Sequence, residues 1–238
     1  MTWADTPPAI RSHSNLTINA VFAGRMNDPV LLATMGLSNV IFFMMVLSLM
    51  IGINSAQETL TSQAFGFGNK SLCGVYLNRG RLILTIFFIP LAAVPMAFGE
   101  NILLALGQDP VVAKLTQTQL YYQMPAIFFY GHYDLYKRWL ACMRITFVPM
   151  VAMFVGTFLH IPLCFLLMDY FDMGIKGLGL ASSIKDGVLL VTVMIYGNCS
   201  AQIRPALAMS DRESLTGWRV PQDFPPVDNH DLRRVVGL

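Results

Sequence analysis

The chain has 238 residues, 55% of them apolar and only 13% charged, about half the ~25% charge typical of a soluble domain. The mean hydropathy is +0.54, and 16 basic residues against 14 acidic ones give a formal net charge of +2. Too little polar surface is available to cover a water-soluble enzyme, too little charge imbalance to bind nucleic acid, and too many apolar residues for disorder over most of the length. A polytopic membrane protein remains.

Residues 1–15 carry Pro7, Pro8, Arg11 and His13 and no apolar h-region, so this stretch reads as a polar segment and not a signal peptide. The patch 16–24 is too short to span. A crossing helix needs about 20 apolar residues, and five segments meet that need within a bundle running from 16 to 203: about 29–65, 82–104, 112–136, 145–169 and 178–203. The first contains an unbroken apolar run around Phe42 to Leu47. The second is interrupted by Pro90 and Pro95, and the third by Pro125, all tolerable where neighbouring helices satisfy the freed carbonyls. The fold class expected is all-α, a transmembrane helix bundle. From Arg204 onward, ten charges of balanced sign and four prolines read as a polar cytoplasmic tail, 204–238.

Basic loops alternate with acidic ones. Lys70, Arg79 and Arg81 follow the first span, and Lys137, Arg138 and Arg144 follow the third; these ends are expected to be cytoplasmic. The sequons at Asn69 and Asn198 then fall on the cytoplasmic side or at its boundary and are discounted for glycosylation. Cys73, Cys142, Cys164 and Cys199 are too scattered for a disulfide framework or zinc site and read as buried or lipid-side thiols.

Polar groups inside spans carry the functional signal, because lipid makes them costly. Asn54, Ser55, Glu58, Thr59, Ser62 and Gln63 follow helical spacing and form a polar stripe expected to face the bundle interior or a water-filled cavity. Interhelical hydrogen bonding that only holds the bundle is the other reading of the stripe. Glu58 is open between a functional carboxylate and an ion pair with a cytoplasmic arginine near the membrane boundary. Gln123, Tyr130 and Asp134 share a face of the third span, where aromatic and acidic groups suit an organic cation. Tyr133, Tyr136 and Trp139 read as an interfacial aromatic belt, with Lys137 and Arg138 snorkelling beside it. His160 is open between a hydrogen-bonded structural group and a proton relay. Lys185 and Asp186 point about 100° apart, so each is expected to pair elsewhere. No phosphate cradle, H-E-x-x-H or G-x-S-x-G occurs and the four histidines are dispersed, so no enzyme and no cofactor is expected.

Glu58-Thr59-Leu60-Thr61-Ser62-Gln63-Ala64-Phe65-Gly66-Phe67-Gly68 resembles the E-T-x-x-x-Q-A-F-G-A-G signature that ends the second helix of multidrug and toxin extrusion (MATE) antiporters. Further matches follow in order. Phe22-Ala23-Gly24 is similar to the end of that family's first helix, Leu104 to Pro110 to the L-x-L-x-G-Q-D-P loop of eukaryotic members, and Arg138-Trp139-Leu140 to the R-[YF]-L of the fourth helix. His160 to Cys164 and Gly174 to Ala181 resemble the fifth helix and the start of the sixth. The likeness runs over 16–220. Departures are Ser62 where glycine is common, Ala141 to Met143 where the pattern continues to a glutamine, and the absence of most of the first helix and of a second six-helix lobe. The resemblance implies one lobe of an antiporter that exports organic cations or xenobiotics against protons or sodium ions by alternating access, in a plasma or internal membrane, with the lipid bilayer, a small organic cation and a second lobe or second copy as partners. Asn54, Glu58, Gln63, Gln123 and Tyr130 are the residues expected to line its pathway. The alternative is a truncated, non-transporting protein that binds or regulates a full-length relative.

Overall fold

In the computed structural model, the described residues are 28–200 together with Asn19, Val21, Phe22, Gly24 and Ile203. The polar segment 1–15, most of the patch 16–24 and the tail 204–238 lie outside them. Among the described residues there are five long helices and no strand: α1 (Pro29–Gly66), α2 (Lys70–Ala105), α3 (Pro110–Cys142), α4 (Phe147–Tyr170) and α5 (Ile175–Cys199).

Local chemistry sets the boundaries. Asp28 accepts from the Val30 N–H at 2.9 Å ahead of Pro29, a side-chain cap followed by a residue pre-set for the first turn. Within α1 the turn Phe43–Leu47 is widened, the Ser48 N–H bonding back to the Phe43 carbonyl. The extra residue in that turn re-aims every side chain after it. Gly68, at φ 77°, reverses the chain, and Asn69 caps α2 by accepting from the Leu72 N–H at 3.0 Å. The residues read as a basic loop, Lys70, Arg79 and Arg81, therefore lie on the first turns of α2, because nothing between Asn69 and the apolar run breaks a helix. Asp109 caps α3 through the Val111 and Val112 N–H groups, again with proline in the first turn. Pro90, Pro95 and Pro125 sit inside helices, as expected, and so does Pro162.

The bundle is arranged around α3. Helices α1, α2 and α5 pack against it, and α4 packs chiefly against α5 while reaching α3 at Pro149. This position explains the composition of α3. The other four helices are long and apolar enough to cross a membrane. With 33 residues, α3 is about 50 Å long, yet it buries Thr116, Gln117, Gln119, His132 and Asp134. Enclosed by other helices, it need not match lipid. Large apolar side chains point outward instead from α2 (Ile86, Ile89, Phe98), α4 (Phe158) and α5 (Val191, Ile195), the distribution of a bundle solvated by acyl chains.

The expected aromatic belt is corrected. Tyr133 and Trp139 have no exposure and Tyr136 is buried. The Trp139 Nε1–H donates to the Cys73 carbonyl at 2.8 Å, and the Tyr133 hydroxyl donates to the Pro149 carbonyl at 3.0 Å. Arg81 lies over the Tyr136 ring. Because α3 is central, aromatic side chains near its end meet helices and not headgroups, and the polar tips of Tyr133 and Trp139 find protein partners.

Candidate functional site

The helical face of α1 that enters the bundle carries Met50, Asn54, Gln57, Thr61 and Ala64. Of the six residues of the expected stripe, Asn54 alone is buried. Ser55, Thr59, Ser62 and Gln63 are exposed, and Glu58 is half-exposed. The stripe thus runs along the edge of the buried face and out of this bundle.

Asn54 links that edge to the core. Its Nδ2 donates to the Gly131 carbonyl and to Asp134 Oδ2, both at 3.1 Å. The same Asp134 oxygen accepts from Arg138 Nε at 2.7 Å, and its other oxygen lies 2.6 Å from Lys137 Nζ. Arg138 then reaches across to α1, where its Nη1 is 2.6 Å from Glu58 Oε2 and donates to Ser55 Oγ at 3.2 Å. Asp134 and Arg138 are i,i+4 on α3, so one helical turn aligns them. Two carboxylates and two cations form a neutral network joining α1 to α3. Its inner end, Asp134, is buried; its outer end, Glu58, has 42% of its side chain exposed. The arginine that the sequence left open as a partner for Glu58 is Arg138, and Lys137 pairs with Asp134 where snorkelling was expected.

The other expected pathway residues are placed apart from this network. Gln123 donates from Nε2 to Asn39 Oδ1 at 3.0 Å, nearer the start of α3. Tyr130 is half-buried with its ring 6.4 Å from that of Tyr133. Gln63 is exposed beyond the network. Sequence reasoning placed Asp134 on the α3 face suited to an organic cation but not among the pathway residues, and it did not select Arg138 or Gln57. The i,i+4 spacing of Asp134 and Arg138 was a usable signal; the meeting of Asn54 with Asp134 across 80 positions was not.

Two further polar groups lie deeper. His160 Nε2 is 2.7 Å from Asn19 Oδ1, and the Cys164 thiol packs against the same ring, which makes His160 a hydrogen-bonded group of the α4 interface. Lys185 and Asp186 pair with each other, Nζ to Oδ1 at 2.9 Å, both buried. This corrects the expectation of separate partners: the lysine stem is long enough to fold back across the 100° step, and a buried charge without another partner takes the nearest counter-ion. The four cysteines are free, with Cys73 and Cys164 buried. Among the described residues no three histidine, cysteine or acidic side chains gather as a metal site.

The MatE family profile matches residues 12–166. The chain belongs to the MatE family. It is 30% identical over 188 residues to Protein DETOXIFICATION 36 of Arabidopsis thaliana, covering 79% of this chain and 37% of that protein. It is 30% identical over 179 residues to Multidrug and toxin extrusion protein 2 of Pongo abelii, covering 75% and 30%. The crystal structure of the eukaryotic MATE transporter AtDTX14 superposes with a TM-score of 0.78 at 22% identity, over 83% of this chain and 44% of that one. The Vibrio cholerae MATE transporter VcmN in its bent form superposes with a TM-score of 0.69. This MatE chain therefore spans less than half the length of the relatives it matches, and it is a multi-pass membrane protein.

Proposed function

We propose that the chain acts as one lobe of a secondary antiporter that exports organic cations in exchange for protons or sodium ions. The observation that carries this reading is Glu58, a carboxylate on a membrane-spanning helix that is held by Arg138 yet half-exposed on a face lined by Ser55, Thr59, Ser62 and Gln63. Against lipid such a face is costly; against a water-filled path it is not. An organic cation at Glu58 competes with Arg138 for the carboxylate, and so does a proton. Ligands that compete for one group while shifting an inward/outward equilibrium differently are sufficient for exchange. Arg138 released from Glu58 still has Asp134, so the exchange does not strand a charge. Asn54 orients Asp134, Gln63 extends the lining, and Gln123 and Tyr130 contribute polar and aromatic surface nearer the other end of α3. The opposite wall is a second lobe or a second copy. The Pongo abelii relative is a multidrug and toxin extrusion protein by name, which supports the substrate class.

The test is proton-driven efflux of a fluorescent organic cation from proteoliposomes. Glu58→Gln is expected to reduce efflux at least about tenfold, the rate equivalent of ~1.4 kcal/mol, with insertion and thermal stability retained. Unchanged efflux would assign Glu58 to structure alone. Absence of efflux from the unaltered chain would favour the other reading, a lobe that binds or regulates a full-length relative.

A further inference from the structure

Away from the charged network, the half of the α1–α3 interface nearer Pro110 holds polar groups with nothing to bond. Thr116 Oγ1, Gln119 Oε1 and Gln123 Oε1 are all buried and all lack a hydrogen-bond partner. Thr116 has no exposure and Gln119 has 2%. Buried polar atoms are nearly always satisfied, by protein or by ordered water, so three orphans on one helix require an explanation.

Their geometry supplies one. The spacing i, i+3, i+7 places the three on one face of α3, within about 60° of arc and separated by axial rises of about 4.5 and 6 Å. Gln123, at one end of this face, is turned to α1, where its amide donates to Asn39. Thr116 departs from its relatives in the chain. Thr34, Thr59, Thr85, Thr118 and Thr192 each donate to the carbonyl four residues earlier, whereas the Thr116 hydroxyl does not. Every orphan is an oxygen able to accept, so the missing partner is a donor. With all three oxygens buried, the partner is small. A water molecule donates two bonds of about 2.8 Å roughly 105° apart and so joins acceptors about 4.5 Å apart, which matches the rise from Thr116 to Gln119; the rise of about 6 Å on to Gln123 calls for a second water.

We propose that ordered water is bound between α1 and α3 at Thr116, Gln119 and Gln123. The wet stretch ends one turn below Gln123, where Phe42, Val46 and Met50 of α1 and Ile127 of α3 form one buried apolar cluster. That plug separates bound water from the Asn54–Asp134–Arg138–Glu58 network, so the two polar regions of the lobe are not joined by a continuous hydrogen-bonded path.

Two measurements on the intact chain in lipid nanodiscs test this. Thr116→Val removes an acceptor without changing shape. If water is bound there, the substitution leaves it short of a partner and the melting temperature falls; if the site is dry, deleting an orphaned oxygen raises it. A structure of the unaltered chain at a resolution that shows waters is expected to carry density within about 3.2 Å of Gln119 Oε1 and Gln123 Oε1. Either a raised melting temperature or an empty site with both glutamines in place overturns the proposal.

Discussion

Asp134 holds three side chains at once, Asn54, Lys137 and Arg138, and its two oxygens are committed within a buried environment. Removing it leaves two cations and an amide facing one another. Asp134→Ala is expected to destabilise the bundle by about 2 kcal/mol, below the ~3–5 kcal/mol of a fully buried pair because both cations keep some solvent. Glu58→Gln, at the exposed end of the same network, should cost under about 1 kcal/mol. Chemical unfolding in mixed micelles separates the two; equal losses would contradict the division into an anchored inner acid and an exchangeable outer one. At this scale the sequence was informative in part. Glu58 was legible as a carboxylate inside a span, and its arginine was anticipated in kind. Lys185 and Asp186 were misread because residue-to-residue angles describe where side chains leave the backbone, not how far a lysine stem reaches.

Helix faces were harder to read than helices. Each of the five runs read as a span falls on one helix, although α2 starts at Lys70, twelve residues before its run, and the rotation of α1 was not legible. In water, an apolar stripe marks the face that packs; in lipid both the packed and the lipid-facing sides are apolar, and the periodicity loses its sign. The buried face therefore came out at Asn54, Gln57 and Thr61, offset from the stripe that continues through Glu58 to Gln63. Glycines show which faces touch. A Cβ on Gly179 would lie 2.9 Å from the Tyr122 Cβ and 3.1 Å from its backbone carbonyl carbon, where α5 cannot yield without moving from α3. Gly179→Ala is expected to cost ~1–3 kcal/mol. Nothing lies within 4 Å of a Cβ on Gly52, so Gly52→Ala is expected to stabilise the isolated lobe by up to about 1 kcal/mol through helix propensity. Melting temperatures of the two variants should move in opposite directions; a parallel fall would place Gly52 inside the bundle.

For the molecule as a whole, the arrangement follows from one helix being wrapped by the others. The polarity of α3 looked like a weak span in the sequence and is the mark of its enclosure. The aromatic belt failed for the same reason, since a belt presupposes contact with headgroups that a central helix does not have. What encloses α3 leaves the polar edge of α1 facing out, and the functional reading depends on that edge being wet. The direct test is thiol labelling in a lipid bilayer of Ser55→Cys and Thr59→Cys, made in a chain whose Cys142 and Cys199 are replaced by alanine, with Ile86→Cys as the lipid-facing reference. A charged, membrane-impermeant reagent is expected to modify positions 55 and 59 and to spare 86. Modification of 55 and 59 only by a lipophilic maleimide, at the rate seen for 86, would contradict the account.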